Sequence, residues 1–573
     1  MPTFEQSALD KETLPSQDDR RRRHSYHEPE PSDAEKIALS ILEGHDADIP
    51  SNEGYVIHEK TLHHKISGSS SKTQTAVENV ELQVDVEKGP DTKSDEIDDP
   101  NIVWWDGPGD PENPMNWSNW LRRSNIFIVS AICFVTPLAS SMFAPGVPQL
   151  MEEFNSTNVE LAGFVVSVYI LGFAVGPLFL APCSELYGRL PIYHMCNILF
   201  LAFTIACALS TNLNMLIGFR FMAGIWGSAP LTNGGGTIAD IVTQEKRGKA
   251  MSFFVMGPII GPVVGPICGG YLTQAKGWRW IFWVLSIISG FFLICSIFLM
   301  RETYAAVILK RKTLRLQKET GNLNLRSKLD IGLSAKDYFQ RAIIRPAKML
   351  VLSPIVLATS LYVGVIYGYL YLLFTTFTVV FEETYHFSSG SVGLTYLGLG
   401  IGSLGGLFSF AWASDRILKS RTAAADHAAT TEGRESEGMK PEYRLPPLIP
   451  ASVLIPAGFF LYGWTAHYHV HWIVPILSTA IIGIGNICVF MAIQIYLVDA
   501  YTVFAASALA ANTVVRSVLG AVLPLGGQQM YDTLGLGWGN SLLAFIAVGM
   551  IPVPWALLKW GEVLRKKYNI DNL

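Results

Sequence analysis

An acid and a base stand four residues apart in SELYGR, Glu185 and Arg189, with Gly188 just before the arginine. Asp415 and Arg416 are neighbours in ASDRILKSR, and IADIVTQEKRGKA carries Asp240, Glu245 and Arg247. Opposite charges of this kind can pair in one arrangement of a chain and separate in another, which is latch chemistry rather than bond breaking. Arg220 stands alone inside the apolar run LIGFRFMAGIWG. An arginine at the centre of a bilayer costs about 2.5–3.5 kcal/mol on insertion scales, so it must face a cavity or a partner. Pairing with a backbone carbonyl is the structural alternative. No G-x-x-x-x-G-K-[ST] pattern occurs, and no metal cluster or nucleophile–base arrangement falls in the apolar runs, so an enzyme is the least favoured class and no cofactor is expected. His467, His469 and His471 alternate in HYHVH. A water-exposed turn is favoured there over a metal site.

These residues must be positioned by helices in lipid. Half of the 573 residues are hydrophobic and only 16% are charged, where a soluble chain carries roughly a quarter charged. The apolar residues come in blocks of about 18–25, the length a helix needs to cross roughly 30 Å of hydrocarbon. The expected fold class is an all-α polytopic membrane protein. Twelve spans are predicted, near 125–147, 159–181, 191–210, 214–239, 249–273, 279–300, 350–374, 391–413, 447–466, 472–497, 504–525 and 538–560. The seven cysteines lie almost wholly in these blocks without paired spacing, and read as small hydrophobes.

Residues 1–100, with DDRRRRH and KSDEIDD, are too polar to offset chain entropy and are expected to be a disordered cytoplasmic tail. Arg20, Arg21, Arg22 and Arg23 before Ser25 could mark a kinase site, with a solvated tail the favoured reading. Residues 101–124 are expected to be a membrane-surface lead-in, with tryptophans at headgroup level. Two six-helix halves, 125–300 and 350–560, are joined by a cytoplasmic linker, 301–349, and followed by a tail, 561–573. With both termini cytoplasmic, the basic loops fall inside and only Lys276 and Arg279 fall outside. Asn155 heads the sequon Asn-Ser-Thr in the first outer loop, a glycosylation acceptor whose use stays open.

One segment, MGPIIGPVVGPICGG, sets Gly257, Gly261, Gly265 and Gly269 at intervals of four, with Pro258, Pro262 and Pro266 after three of them. In water each interior proline would cost a helix about 3 kcal/mol and each glycine about 1. In a membrane bundle the glycine face lets a neighbouring helix approach closely. The prolines are tolerated where neighbours satisfy the freed carbonyls. The segment reads as a tightly packed, hinge-like span.

Together these features resemble the major facilitator superfamily, and within it the fungal twelve-span drug:proton antiporters, over about 120–560. SELYGR is similar to the family's loop signature in Glu185, Gly188 and Arg189, although Ala181 replaces its first glycine, and Leu190 and Ile192 replace basic positions. The resemblance implies that this loop latches two halves in the outward-facing state. It implies that Arg220 is linked to proton coupling, and that Asp240, Glu245 and Arg247 relay to the latch. The glycine–proline segment resembles the antiporters' fifth-span signature, which goes with export by exchange.

The function expected is proton-coupled efflux of small organic compounds, such as drugs, toxins or polyamines, by alternating access at the plasma membrane. The gates are Glu185–Arg189 and Asp415–Arg416. A proton-coupled nutrient importer and a non-transporting membrane sensor are the alternatives. No aspartate or glutamate falls in mid-span, so proton coupling rests on the resemblance. Tyr367 and Tyr371 in YVGVIYGYLYLLF, with Asn233, Gln494 and Tyr496, could line the substrate path by stacking and amide contacts, or could face lipid and neighbouring helices. The expected partners are the substrate, protons and lipid, with no nucleic acid, and the chain is expected to be a monomer.

Overall fold

The computed structural model describes residues 100–568 apart from 331, 333 and 432–438. The expected tail up to residue 99, with its arginines and Ser25, lies outside the described residues, as do 569–573. The described chain is almost all helix. In order the helices are α1 (Asn119–Ser141), α2 (Val147–Glu153), α3 (Val159–Tyr187), α4 (Arg189–Ala208), α5 (Leu213–Gly227) and α6 (Ala229–Ile241). There follow α7 (Gln244–Lys276), α8 (Arg279–Leu299), α9 (Ala305–Thr320), α10 (Ala335–Leu352), α11 (Pro354–Tyr385) and α12 (Ser389–Thr431). The last are α13 (Leu448–His467), α14 (Ile473–Ala500), α15 (Ala505–Val522), α16 (Gly527–Met550) and α17 (Pro552–Lys567).

Local chemistry sets many of the ends. Asn158 and Asn212 cap α3 and α5 by accepting from the Leu161 and Met215 amides at 3.1 and 2.9 Å. Ser353 caps α11 with Pro354 in its first position. Pro230 follows the junction between α5 and α6 at Ser228, so one apolar run becomes two helices in line. Conversely, α12 continues 18 residues past the expected span end at 413, because Ala-rich sequence without proline or glycine follows.

Ten helical runs among the described residues are long and apolar enough to cross a membrane. One, 505–567, has 63 residues and would reach about 95 Å if straight, some three times the hydrocarbon thickness. It is not straight. Gly535 takes φ +74° inside α16, and Tyr531 donates to Asn540 Oδ1 at 2.9 Å from nine residues away. The chain therefore turns back on itself there.

The packing repeats. In the first half α1 packs on α7, α3 on α5, and α4 on α5. In the second, α11 packs on α15, α12 on α14, and α13 on α14. Two reciprocal seams join them, α7 with α12 and α3 with α15. Two six-span units in the same order around an axis along the membrane normal would give this pattern.

The lead-in is tied to the linker. Strand β1 (Ile102–Val103) pairs in parallel with β2 (Arg326–Ser327). Lys312 of α9 is buried against Asp106 at 2.7 Å and Asp110 at 3.3 Å, and Arg315 meets Glu112 at 3.0 Å. Burial pushes the Asp110 carboxyl up, but the Asp106 and Glu112 amides and Lys312 outweigh it and hold it below its ordinary value. Burial likewise pulls Lys312 down, and its two carboxylates raise it on balance. Trp104 lies over Lys328, its ring 5.4 Å from the ammonium.

Candidate functional site

At the linker end of the first half, α3 stops and α4 starts at one residue. Gly188 takes φ +106°, and a Cβ there would fall on the Glu302 carboxylate. That carboxylate closes the start of α4, accepting from the Arg189 and Leu190 amides at 2.9 and 3.2 Å, where the helix dipole favours negative charge. The Arg189 side chain reaches across to α6, its Nε 3.4 Å from Asp240 Oδ2. Its Nη1 donates to Ser184 Oγ at 2.7 Å, and Tyr304 lies under the guanidinium at 4.9 Å.

Three of the expected residues take partners of their own here. Glu185 does not take Arg189. Its carboxylate accepts from the Tyr338 hydroxyl of α10, in the linker. The non-helical turn at Gly188 separates the two, so four residues of spacing no longer place them on one helix face. Asn233 is not on an open path. It is 1% exposed and accepts from Ser184 Oγ at 3.0 Å, inside the same cluster. Arg247 donates to the Ala239 carbonyl at 3.4 Å rather than to an acid. The Glu245 side chain lies outside those described.

The second half repeats the arrangement. Arg444 pairs with Asp499 at 3.1 Å and Asp415 at 3.2 Å, and its Nη1 faces Ser414 Oγ at 3.5 Å. Ser414–Asp415 thus matches Ser184–Glu185, and Asp499 near the end of α14 matches Asp240 near the end of α6. Asp415 and Arg416, expected at a gating loop, take separate partners. Adjacent helical residues project about 100° apart, and Arg416 stacks on Trp412 at 4.2 Å. Glu442 meets Arg565 at 3.3 Å, and Lys440 meets Glu562 at 2.9 Å.

Two arginines lie inside the expected spans 214–239 and 504–525. Arg220 is 1% exposed. Its Nε donates to the Val165 carbonyl at 2.6 Å, and its Nη2 to those of Ser140 and Val166 at 3.2 and 3.3 Å. Phe143, Tyr169 and Phe282 surround it at 5.1–5.8 Å. A cavity of about 10 Å³ adjoins it, about the minimum for one water. The carbonyl alternative is the one observed. Arg516 of α15 differs. Its guanidinium lies 4.9 Å from the Tyr367 ring and 5.0 Å from Phe490, and its buried Nε has no hydrogen-bond partner among the described residues.

Of the expected lining residues, Tyr371 crosses between the halves, its hydroxyl 3.1 Å from Ser140 Oγ, and its ring lies 5.1 Å from Tyr367. Gln494 Nε2 faces Asn512 Oδ1 at 3.5 Å. Tyr496 takes the alternative left open for these residues and faces neighbouring helices. It is fully buried in the second half, its hydroxyl beside Gly561 and Glu442.

The glycine face of α7 lies on α1. Cβ atoms at Gly257, Gly261 and Gly265 would come within 3.2, 3.0 and 2.5 Å of Phe134, Leu138 and Ser141, and one at Gly269 would fall on the Met142 carbonyl. Pro258, Pro262 and Pro266 stay within the helix. On its other side α7 meets α12, where a Cβ at Gly393 would sit 2.5 Å from the Pro266 carbonyl. Asn155 is exposed between α2 and α3, at φ +50°.

The sequence alone does not single out Glu302, Tyr338 or Arg516, and it does not pair Arg444 with Asp499. Arg516 carries the signal that singled out Arg220, a lone arginine in an apolar run, ANTVVRSVLGAV. Glu302 lies two residues past the end of an apolar span. The pairing of Arg444 with Asp499 across 55 residues leaves no local trace.

Paired helix groups, reciprocal seams and a charge cluster at the linker end of each half define a multi-pass membrane transporter built on a parallel repeat. Residues 129–524 match the Major Facilitator Superfamily. The "MFS-type transporter tndD" of Aspergillus flavipes is 62% identical over 473 residues, covering 82% of this chain and 87% of the relative. The "Efflux pump radE" of Floropilus chiversii is 54% identical over 475 residues, covering 83% and 86%. Among solved structures, the E. coli xylose transporter XylE in a partially occluded inward open conformation has a TM-score of 0.57 at 15% identity, covering 76% of this chain and 98% of that one. That likeness concerns the fold alone. The chain belongs to the major facilitator superfamily.

Proposed function

We propose that this transporter exports small organic compounds in exchange for protons, crossing the plasma membrane twelve times with both termini and the linker cytoplasmic. The observation that carries this reading is α7, whose glycine face lies on α1 while its Pro266 carbonyl meets Gly393 of the other half. The glycine face ties α7 to α1 of its own half, and the Pro266 carbonyl reaches the other half. Rocking of one half against the other then concentrates at the seam. The latch at the linker end is Arg189–Asp240 with Glu302, mirrored by Arg444–Asp499 with Asp415.

The relatives' names support transport, and the name of one supports efflux. Inward proton movement would draw on about 2.3 kcal/mol per charge per 100 mV of membrane potential. The test is accumulation of toxic compounds in cells with and without the full chain, with and without a proton uncoupler. Efflux lowers the internal level, and the uncoupler abolishes the difference. A raised internal level would establish import instead. An unchanged phenotype in Arg220→Ala, together with loss on deleting residues 1–100, would establish the sensor.

A further inference from the structure

Arg516 lies eleven residues from the start of α15, about 17 Å along a helix that must cross roughly 30 Å of hydrocarbon, and so near its middle. Helix α15 also touches the other half, through its seam with α3. One turn farther on, Ser167 of α3 donates to the Ala521 carbonyl at 2.9 Å, and a Cβ at Gly520 would meet both Tyr367 and Ile170. Arg516 therefore stands beside the seam, at the level where a two-repeat transporter holds its cargo.

Its surroundings are chemically one-sided. The Tyr367 and Phe490 rings flank the guanidinium and stabilise the cation without accepting its hydrogen bonds in the ring plane. No ion pair or hydrogen bond engages Arg516 among the described residues, and its Nε is shut from solvent. On the linker side of it, Asn512 is fully buried, and its Nδ2 donor also lacks a partner among the described residues, while its Oδ1 faces Gln494. Arg220, at similar depth, spends its donors on three carbonyls. The contrast is between an arginine built into the fold and one left with free donors. A half-buried planar donor fork flanked by aromatic faces, its Nε shut from solvent, fits an oxyanion carried on a flat ring system.

We infer that Arg516, with Tyr367, Phe490 and Asn512, forms the cargo site and selects flat aromatic compounds bearing an ionised acidic oxygen, a carboxylate or a phenolate. This rests on the efflux reading only for the direction of movement. A compound with a cationic head would meet Arg516 with like charge and be rejected.

The test uses two dyes that share a fused ring system and differ in charge, fluorescein (anionic) and rhodamine 123 (cationic). Each is titrated against the purified full chain in nanodiscs by fluorescence anisotropy. Fluorescein is expected to bind at least about tenfold more tightly than rhodamine 123, as an unshared charge-assisted contact should discriminate. Arg516→Gln removes that preference, and Arg516→Lys, which keeps the charge but not the fork, restores part of it. Equal or tighter binding of rhodamine 123, an unchanged fluorescein affinity in Arg516→Gln, or binding of neither dye would overturn the assignment. The same variants are then followed for dye efflux from cells. Fluorescein bound but not exported would leave the site standing and sink the efflux reading. Rhodamine 123 exported in preference to fluorescein would do the reverse.

Discussion

Arg189 of α4 holds Asp240 of α6 at 3.4 Å, and the arginine's own helix begins on the carboxylate of Glu302 at 2.9 Å. The ends of α3, α4, α6 and α8 are thereby fastened at one point. Removing one partner of a buried pair costs about 3–5 kcal/mol, because the remaining charge stays buried. Asp240→Asn should therefore lower the thermal stability of the purified protein and slow cargo movement by an order of magnitude or more. The exchanged pair Arg189→Asp with Asp240→Arg should recover stability over either single change. A double-mutant cycle with no coupling would show that the pair holds nothing.

Gly188 gives a sharper contrast. Alanine there meets both the φ of +106° and the Glu302 carboxylate, and a strained residue of this kind costs on the order of 1–3 kcal/mol. Glu302→Gln keeps the shape but loses the charge at the start of α4, worth about 0.3–1 kcal/mol and up to about 2 where partly buried. It retains one accepting oxygen, on the side that takes the Arg189 amide, while its NH2 replaces the acceptor of the Leu190 amide. Thermal unfolding should rank Gly188→Ala as the more damaging. The opposite order would place the constraint in the charge rather than the backbone.

The glycine face of α7 predicts a graded series. Gly269→Ala drives a methyl group into the Met142 carbonyl, whereas alanine at Gly218 meets nothing within 4 Å. Overpacking typically costs about 1–3 kcal/mol. Gly269→Ala should reduce both the yield of folded protein and its unfolding temperature, with Gly218→Ala unchanged. Equal tolerance at both positions would mean that α7 and α1 are not in close contact in the protein as isolated.

Periodicity and composition made the helices legible, because blocks such as 279–300 and 350–374 have little alternative to a span. The glycine interval of four made the α7–α1 contact legible as well. Charges were harder to place. Glu185 and Arg189 look like a pair in sequence, yet a single non-helical residue redirects both. Arg444 finds Asp499 only after two spans fold back on each other. Tyr496 and Gln494 lie two residues apart on one apolar helix, and only the packed neighbours tell which faces the seam and which faces Glu442. The docking of 101–118 on α9 was hidden for a like reason. It depends on two two-residue strands and on Lys312, each too short or too ordinary to stand out.

That docking carries a pH signature whose sign follows from its charges. Asp110 is held below its ordinary value of 3.8. Its contribution is thus fully present above that value and is lost as pH falls through the lower, docked-state value. Lys312 is held above its ordinary value of 10.5, so its contribution is complete below 10.5 and is lost as pH rises through the higher docked-state value. Between these limits docking should be flat. Hydrogen exchange at the amides of 101–113 should therefore be slow and pH-independent once the intrinsic rate is divided out, and should lose protection only in acid well below pH 4. Lys312→Met should remove protection already at neutral pH, since Asp106 and Asp110 would then face each other without a cation. Protection that fell steadily between pH 5 and 8 would mean that some other titrating group holds the lead-in to the linker.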